Sequence, residues 1–428
     1  MARRGGKGWC SGLWLQATAV PSAQDSNMSQ PSPWRGDFPA MAAFERQQQT
    51  YLDSAATTQK PQAMLDALCH YYAHGAANVH RAQHLPGALA TQAFEECREK
   101  VAHWLCAGAP AQIIFTQGAT AALNLLAYGL EAEVHPGDEL VVSALEHHAN
   151  LLPWQQLALR RGARLVVLPL DASGRIDLGQ AAQLIGPRTR VVAISQLSNV
   201  LGTVQPLAPL IDLARGQGAL SVVDGAQGVV HGRQDVAALG CDFYVFSSHK
   251  LYGPDGVGVL YGRSEALGKL RHWQFGGEMV HQTDYHQASF HPAPLGFEAG
   301  TPPIAGVIGL GATLDWLGSL DAQALLAHEQ GLHQQLLRGL GDREGIRVLG
   351  KPDKALASFV VKNVHNADLA HLLTDQGIAV RVGNHCAMPL FQTLGSKGAL
   401  RVSLGIYNDS DDLKRFFDAL DRALELLR

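Results

Sequence analysis

Two stretches decide the fold of this chain: Val222-Val223-Asp224-Gly225-Ala226-Gln227 and, downstream, Phe243-Tyr244-Val245-Phe246-Ser247-Ser248-His249-Lys250. In each, a run of β-branched or aromatic residues ends abruptly in polar residues, which is the pattern of a strand buried in a parallel sheet. Open α/β sheets bind their ligands at the carboxyl ends of such strands. We therefore expect Asp224 and Lys250 to lie near each other at one edge of a sheet.

Asp224 and Lys250 supply the two contacts that pyridoxal phosphate requires of a protein. An acid pairs with the nitrogen of the pyridine ring, and a lysine amine forms a Schiff base with the aldehyde. Alone, each residue has a structural explanation, as a helix cap or as part of a solvated turn. Ser247 and His249 flank the lysine with groups that bind phosphate, and Gly253-Pro254-Asp255-Gly256 follows as a tight turn. The combination favours a pyridoxal phosphate enzyme.

Length and charge limit the classes of protein that this chain can be. A chain of 428 residues is too long for one ordinary hydrophobic core, so we expect two domains. Its 34 basic and 38 acidic residues give a formal charge of -4, with no long run of either sign. This pattern argues against a nucleic-acid or membrane partner, and no apolar stretch reaches the roughly 18 residues of a transmembrane helix.

The cysteines are scattered, without the close spacing of a metal site or of a disulfide framework. They are Cys10, Cys69, Cys97, Cys106, Cys241 and Cys386. This usage indicates a reducing compartment, and we expect a cytoplasmic protein. Cys386 differs from the others because it lies in a polar segment that contains glycine.

The first residues have the composition of a possible targeting segment. Arg3, Arg4 and Lys7 precede a mildly apolar stretch at 9–20, which is interrupted too often for a signal peptide. We expect residues 1–45 to be a disordered tail, or a start assigned too early, followed by an N-terminal arm. Met28 is an equally good beginning, and a transit peptide remains an alternative.

From Tyr51 onward, helix-like and strand-like segments alternate, as in a doubly wound, mostly parallel sheet. The predicted strands of this sheet are Gln112–Thr116, Glu139–Ser143, Arg164–Pro169, Thr189–Gln196, Leu220–Asp224, Asp242–Ser247 and Val257–Tyr261. After Pro302-Pro303 we predict long amphipathic helices, strands Ala357–Val361 and Ile378–Val382, and a last helix over Ser410–Leu427. The sequence thus predicts a large α/β domain over 46–298 and a smaller α+β domain over 299–428.

Two further segments follow predicted strands. Gln117-Gly118-Ala119-Thr120 opens an Ala/Leu-rich helix, so backbone N–H groups and the Thr120 hydroxyl would converge on a phosphate, although a plain helix cap is the alternative. Asn199 could hydrogen-bond a cofactor or substrate, or only form a turn.

Glu146-His147-His148-Ala149-Asn150 also follows a strand. Adjacent histidines on a loop point in different directions and no third ligand has suitable spacing, so we expect no metal site. A histidine stacked on the cofactor ring, with room to move protons, is the better interpretation.

The C-terminal region contributes Arg381-Val382-Gly383-Asn384-His385-Cys386-Ala387-Met388-Pro389-Leu390. A thiol beside His and Gly, close to an arginine, is a plausible nucleophile, although an isolated cysteine is usually structural. Arg401 stands inside an apolar strand pattern, where a carboxylate such as that of an amino-acid substrate would stabilise it.

Together these residues resemble the group II cysteine desulfurases of the Suf/Csd type, which share an ancestor with selenocysteine lyases. The similarity runs from about Tyr51 to the C-terminus. Its most specific parts are Tyr51-Leu52-Asp53-Ser54-Ala55-Ala56, Asn78-Val79-His80-Arg81, Glu146-His147-His148-Ala149-Asn150, Asp224-Gly225-Ala226-Gln227, Ser247-Ser248-His249-Lys250, Glu298-Ala299-Gly300-Thr301-Pro302 and Arg381-Val382-Gly383-Asn384-His385-Cys386-Ala387. The resemblance implies the type I fold of pyridoxal phosphate enzymes.

The resemblance also implies a role for each cofactor contact. Lys250 would hold pyridoxal phosphate and later move the Cα proton, while Asp224 would keep the pyridine nitrogen protonated. His147 would stack on the ring. Gln227 and Asn199 would contact its phenolic oxygen or the substrate.

For the phosphate, the resemblance implies Ala119, Thr120, Ser247 and His249. Thr301 looks like a residue lent to the phosphate of the neighbouring subunit, which implies a homodimer with shared active sites.

For the substrate, the resemblance implies that Arg401, Asn199, His80 and Arg381 bind L-cysteine. Cys386 would attack its sulfur as the thiolate, release L-alanine and keep a persulfide. A SufE/CsdE-like acceptor protein would then take the sulfur for iron-sulfur clusters or other sulfur-containing cofactors.

Three alternatives stay open. Selenocysteine lyase or cysteine sulfinate desulfinase activity would not need attack by Cys386. A non-catalytic scaffold would bind pyridoxal phosphate only for folding, and an aminotransferase would leave Cys386 without a role. One departure from many relatives is Ala121, which stands where they have Glu, so this chain lacks that acid.

Overall fold

The structure, a computed structural model, describes residues 31–81 and 83–428. The predictions for residues 1–30, including the tail and the start at Met28, lie outside the described residues. The strands of the described part are, in chain order, β1 (Thr50–Tyr51), β2 (Ile113–Thr116), β3 (Glu139–Ser143), β4 (Arg164–Leu168), β5 (Thr189–Ser195), β6 (Leu220–Asp224), β7 (Phe243–Ser247), β8 (Gly258–Gly262), β9 (Val280–Thr283), β10 (Ala288–Phe290), β11 (Ile346–Val348), β12 (Leu356–Val361), β13 (Ile378–Ala379), β14 (Arg381–Gly383) and β15 (Ala399–Ser403).

The α-helices of the same residues cover both faces of the sheets. They are α1 (Pro39–Arg46), α2 (Gln62–Gly75), α3 (Leu85–Trp104), α4 (Ala119–Gly129), α5 (His148–Arg161), α6 (Leu178–Leu184), α7 (Leu207–Gly216), α8 (Val236–Leu239), α9 (Ser264–Leu267), α10 (Ile304–Ser319), α11 (Ala322–Gly341), α12 (Asn366–Asp375), α13 (Met388–Thr393) and α14 (Ser410–Leu427). Within the described chain, no helix has the length and apolarity needed to cross a membrane.

The central sheet has seven strands in the order β2-β8-β7-β6-β5-β3-β4. The five strands from β7 to β4 run parallel, and β8 is antiparallel to both of its neighbours, so β2 points in the same direction as β7. The carboxyl ends of β2, β3, β5, β6 and β7 therefore lie at one edge of the sheet.

Alternation along the strands buries both faces of this sheet. In β3, Leu140 and Val142 face one core with α4 and α5, while Val141 faces the opposite core with α3, α7 and α10. Because successive strand residues point to opposite faces, an apolar run such as Leu140–Val142 fits a strand covered by helices on both sides. The two helical layers hold the strand ends in fixed positions.

The second, four-stranded sheet is antiparallel, in the order β11-β12-β15-β14. Its core joins β12 and β15 to apolar residues of α11, α12 and α14. The short strand β1 pairs with β13, so the segment at Thr50–Tyr51 contacts the C-terminal part of the chain. The domain limits at 45/46 and 298/299 stay predictions.

The predicted α/β class is confirmed, and the seven predicted strands of the large sheet lie within one residue of the observed bounds. The prediction of one strand over Ile378–Val382 is wrong. The segment forms β13 and β14, which lie in different sheets because β13 pairs with β1 whereas β14 pairs with β15. A mostly apolar segment such as 378–382 does not show such a change of partner.

Candidate functional site

A cavity lies where the carboxyl ends of the central strands meet the second sheet. Most of the predicted site residues line it. The lining residues are Ala55, Ala56, Ala119, Thr120, His147, Ala149, Ser195, Leu197, Asn199, Asp224, Ala226, Gln227, Ser247, His249, Lys250, Arg381, His385, Cys386 and Arg401. Parallel strands place their carboxyl ends at one edge, which is why residues far apart in sequence converge here.

Asp224 and Lys250 come from neighbouring parallel strands. Asp224 ends β6, and Lys250 ends the 3-10 turn that follows β7. Burial raises the pKa of the Asp224 carboxyl, although its Oδ1 accepts a hydrogen bond of 2.9 Å from the Ala226 N–H. Burial lowers the pKa of the Lys250 amine, and the Asp224 charge only partly opposes this effect. For both groups, burial thus shifts the pKa in the direction that favours the neutral form.

The N-terminus of α4 approaches the end of β7 beside this pair. The Ala119 N–H donates to Ser247 Oγ at 2.8 Å. Gly258, the first residue of β8, permits the approach, because a Cβ there would lie 2.4 Å from the Gly118 backbone. Free N–H groups at a helix N-terminus, together with the Ser247 hydroxyl and the exposed Thr120, form a site for an anionic group.

His249 belongs to the same end of the cavity. Burial and the nearby Lys250 charge lower its pKa to about 4, so the ring is neutral at pH 7. Its carbonyl accepts hydrogen bonds from Thr58 N and Lys60 Nζ, at 3.1 and 2.9 Å. Thr58 and Lys60, which follow β1 in sequence, therefore hold the turn that carries Lys250.

His147 caps the N-terminus of α5. Its Nδ1 accepts a hydrogen bond of 3.1 Å from the Ala149 N–H, which leaves the proton of the neutral ring on Nε2. Burial, followed by the charge of Lys250, lowers its pKa to about 4. A neutral, partly buried ring at the cavity wall can lie against an aromatic cofactor.

Asn199 and Gln227 bind protein groups at the margin of the cavity. Asn199 Nδ2 donates to the His385 carbonyl at 2.8 Å, and Gln227 Nε2 donates to the Ala55 carbonyl at 2.8 Å. Asn199 thereby links the large sheet to the loop that carries Cys386.

Arg401 is buried in β15 and reaches the cavity from the second sheet. It donates to the Asn199 carbonyl and to Asp53 Oδ1, each at 2.9 Å, while its Nε is buried without a hydrogen-bond partner. Arg381 donates to Asp53 Oδ2 at 3.0 Å. The carboxylate expected beside Arg401 is thus supplied in part by the chain itself, and the Nε–H of Arg401 remains available.

Cys386 lies on an exposed loop between β14 and α13. His385 and Cys386 both have positive φ, 49° and 57°, a conformation that non-glycine residues rarely adopt. Cys386 lines the cavity with Lys250, and it also lines a second, outer groove with Leu152 and Tyr128. The thiol therefore stands between the cavity and the protein surface.

Two predicted site residues lie outside the cavity in this single chain. His80 binds Glu95, with 2.9 Å between Nε2 and Oε1. Thr301 is exposed in the segment before α10. Neither is among the residues that line the cavity, so their roles in substrate and phosphate binding stay predictions.

Sequence reasoning gave no individual role to three residues of the site. Asp53 bridges Arg381 and Arg401, and His148 contacts the Cys386 loop. Glu146 accepts hydrogen bonds from the side chains of Ser143, Ser195 and Asn150 beneath the cavity, and burial raises its pKa to about 7. The available signal for Glu146 was an acid three residues after the end of an apolar strand. The long-range partners of Asp53 leave no local signal.

The chain is similar to several known proteins over most of its length. Residues 50–416 match the family described as Aminotransferase class-V. A "Probable cysteine desulfurase" of Pseudomonas putida is 78% identical over 401 residues, covering 94% of this chain and 100% of that protein. "Cysteine desulfurase CsdA" of Escherichia coli is 43% identical over 402 residues, covering 94% and 99%. The crystal structure of CsdA in its S-sulfonic acid form has a TM-score of 0.88 at 43% identity, covering 94% of this chain and 100% of that one. The predicted fold is confirmed by this likeness.

Proposed function

This chain belongs to the class-V aminotransferase family, and from that premise we propose that it is a pyridoxal phosphate-dependent cysteine desulfurase. It converts L-cysteine to L-alanine and keeps the sulfur as a persulfide on Cys386. The names of its relatives, at 78% and 43% identity over nearly the whole chain, support this activity.

The convergence of Lys250, Asp224 and Cys386 on one cavity carries the proposal. An amine and an acid from adjacent strands suit the cofactor, and a thiol on the loop after β14 lines the same space. Transamination gives such a thiol no role, whereas transfer of sulfur from cysteine to the protein needs a nucleophile that accepts it.

The residues present fit pyridoxal phosphate. The N-terminus of the eleven-residue helix α4, with Ser247, Thr120 and His249, suits the phosphate. Lys250 would bind the aldehyde, and the buried Asp224 would pair with the protonated ring nitrogen. When bound, the cofactor supplies an electron-withdrawing ring that makes the α-proton of an amino acid labile.

Other contacts of the ring come from the cavity walls. His147 would lie against the ring, and Asn199 and Gln227 would contact its phenolic oxygen or the substrate. The His385 and Ala55 carbonyls fix the two amide side chains at the margin of the cavity. Ala119 would lie beside the phosphate, where its N–H holds the Ser247 hydroxyl.

Lys250 and Arg401 divide the handling of the substrate. Because burial lowers the pKa of Lys250, its Nζ can accept the α-proton of L-cysteine and return it at a later step. The unpartnered Nε–H of Arg401 and the exposed Arg381 would hold the α-carboxylate. His80 would assist only if a neighbouring subunit or a local movement brought it to the substrate.

Cys386 takes the sulfur. Its Sγ attacks the substrate sulfur, a new S–S bond forms, and the Cβ–S bond breaks with its electron pair passing to Cβ. Cβ then gains a proton, so L-cysteine and the Cys386 thiol become L-alanine and a Cys386 persulfide with no other reactant consumed. The exposed position of Cys386 suits transfer of that sulfur to an acceptor protein of the SufE/CsdE-like kind.

The assembly is proposed to be a cytoplasmic homodimer. Thr301 is exposed and lies apart from the cavity of its own chain, as a residue serving a partner's phosphate would. Size-exclusion chromatography with light scattering tests the dimer. Mixed dimers carrying Thr301→Ala in one subunit and Lys250→Ala in the other test the sharing of sites.

The test of the activity is alanine release from L-cysteine by purified protein reconstituted with pyridoxal phosphate. Wild type should form alanine, Lys250→Ala should form none, and Asp224→Ala should keep some cofactor but lose nearly all turnover. Parallel assays with L-selenocysteine and cysteine sulfinate compare the two alternative substrates. Absence of alanine from wild type, or full turnover by Asp224→Ala, would contradict the proposal.

A further inference from the structure

His147 and His148 are adjacent in sequence, yet they contact different parts of the site. His147 lines the cavity that contains Lys250, whereas His148 is absent from that lining and lies in the outer groove beside Cys386. The function proposed above gives His148 no role. Its contacts with the Cys386 loop are the starting point for one.

The Cys386 loop needs support because two consecutive residues have left-handed backbone conformations. Side chains of His385 and Cys386 make that conformation unfavourable, so it persists only where surrounding contacts hold it. The Asn199 amide binds the His385 carbonyl at 2.8 Å. The His148 N–H donates to the next carbonyl, that of Cys386, at 2.7 Å.

The imidazole of His148 adds a contact on the other side of the thiol. Its Nε2 accepts a hydrogen bond of 3.2 Å from the Met388 N–H. To accept there, the ring must be neutral with its proton on Nδ1. His148 therefore holds the backbone both at Cys386 and two residues beyond it.

We propose that His148 is a positioning residue, which fixes the Cys386 thiol at the border between cavity and surface through the Nε2 contact with Met388. This inference rests on the proposed desulfurase activity. The ring does not contact the reacting atoms, and its effect passes through the loop. Loss of the contact should slow sulfur transfer without altering how the cofactor or the substrate carboxylate binds.

The step that responds should be attack by Cys386. A misplacement of reacting groups by about 1 Å can slow a reaction about 100-fold. Arg401, Asp224 and Lys250 belong to other elements, so binding of L-cysteine should remain. The expected signature is a lower kcat with a KM that is nearly unchanged.

His148→Phe and His148→Gln form a matched pair for the test. Phe keeps a ring of similar shape but has no acceptor, while the Gln side-chain oxygen can accept from the Met388 N–H. In single-turnover assays of the reconstituted enzyme, we expect alanine formation to fall at least about tenfold in His148→Phe and to stay within about twofold of wild type in His148→Gln. KM and the cofactor absorption change on adding L-cysteine should match wild type in both.

Hydrogen exchange supplies a readout that does not depend on turnover. Met388 is 53% exposed and is the first residue of α13, where an N–H has no partner within the helix, so its amide should exchange quickly unless His148 holds it. We expect slow exchange in wild type and His148→Gln, and fast exchange in His148→Phe. The wild-type measurement remains decisive if His148→Phe does not fold.

Equal single-turnover rates in wild type and His148→Phe would overturn the inference, as would a fast-exchanging Met388 amide in wild type. An equal loss in His148→Gln and His148→Phe would also overturn it, because the acceptor would then not matter. Failure of wild type to release alanine would instead contradict the proposed function, so the two failures are distinguishable.

Discussion

Asp53 Oδ1 accepts a hydrogen bond of 2.9 Å from the guanidinium of Arg401, although 348 residues separate the two in sequence. Asp53 follows β1, and Arg401 lies in β15 of the second sheet. The contact neutralises much of a buried charge and leaves one N–H of Arg401 without a partner. The contact therefore stabilises the fold and orients the Arg401 guanidinium towards the cavity.

Asp53→Ala should destabilise the protein by about 3 kcal/mol, because it leaves the buried Arg401 charge unpaired. Asp53→Asn, which keeps an acceptor, should cost less. Both should raise the KM for L-cysteine, since Arg401 loses its fixed orientation. Urea unfolding and steady-state kinetics measure the two effects. An Asp53→Ala protein as stable as wild type would show that Arg401 does not depend on this carboxylate.

His147 should make stability fall in acid. Its pKa is about 4 in the folded protein against 6.5 for the free side chain, so the unfolded chain binds the extra proton between these values. Stability from this residue is complete above pH 6.5 and is lost as pH falls towards 4. The loss at pH 5 should be about 2 kcal/mol. We would measure urea unfolding of the apoprotein at pH 7.5 and 5.

The matched variant for that measurement is His147→Gln, which cannot titrate. Wild type should lose more stability than His147→Gln over the same pH change, by about the 2 kcal/mol given above. Parallel pH dependences for the two proteins would show that His147 takes up its proton equally well in both states.

Gly258→Ala should weaken cofactor binding. The added Cβ would lie 2.4 Å from the Gly118 backbone at the N-terminus of α4, and such overpacking costs about 1–3 kcal/mol. We expect the Kd for pyridoxal phosphate to rise about tenfold, as measured by fluorescence titration. Gly268→Ala is the control, since its Cβ would meet only ordinary contacts at 3.6 Å. Equal affinities for pyridoxal phosphate in the two variants would show that the N-terminus of α4 does not contribute to phosphate binding.

The strand ends were predictable because their signal is local. The change from apolar to polar residues at Asp224 and Ser247 is visible within a few positions, and parallel pairing brings such ends together. Asp53 and Arg401 could not be paired in this way, because a contact across the whole chain leaves no periodic pattern. The break at Val380 was missed for a similar reason, since strand partners rather than hydrophobicity separate β13 from β14.

The assignment of His80 shows the opposite difficulty. A motif indicated a site residue, but the ring binds Glu95 through Nε2 and remains outside the cavity in the single chain. Similarity of residues predicts chemistry more securely than it predicts which chain, or which conformation, brings a side chain to the substrate.

The central claim is that Cys386 receives the sulfur, and mass spectrometry after a single turnover tests it most directly. Wild-type enzyme given one equivalent of L-cysteine should carry one added sulfur on the peptide that contains Cys386. The other five cysteines should carry none, and Cys386→Ala should form no alanine while its cofactor spectrum still changes on binding L-cysteine. Added sulfur on Cys241 or Cys106 instead, or full turnover by Cys386→Ala, would contradict the account.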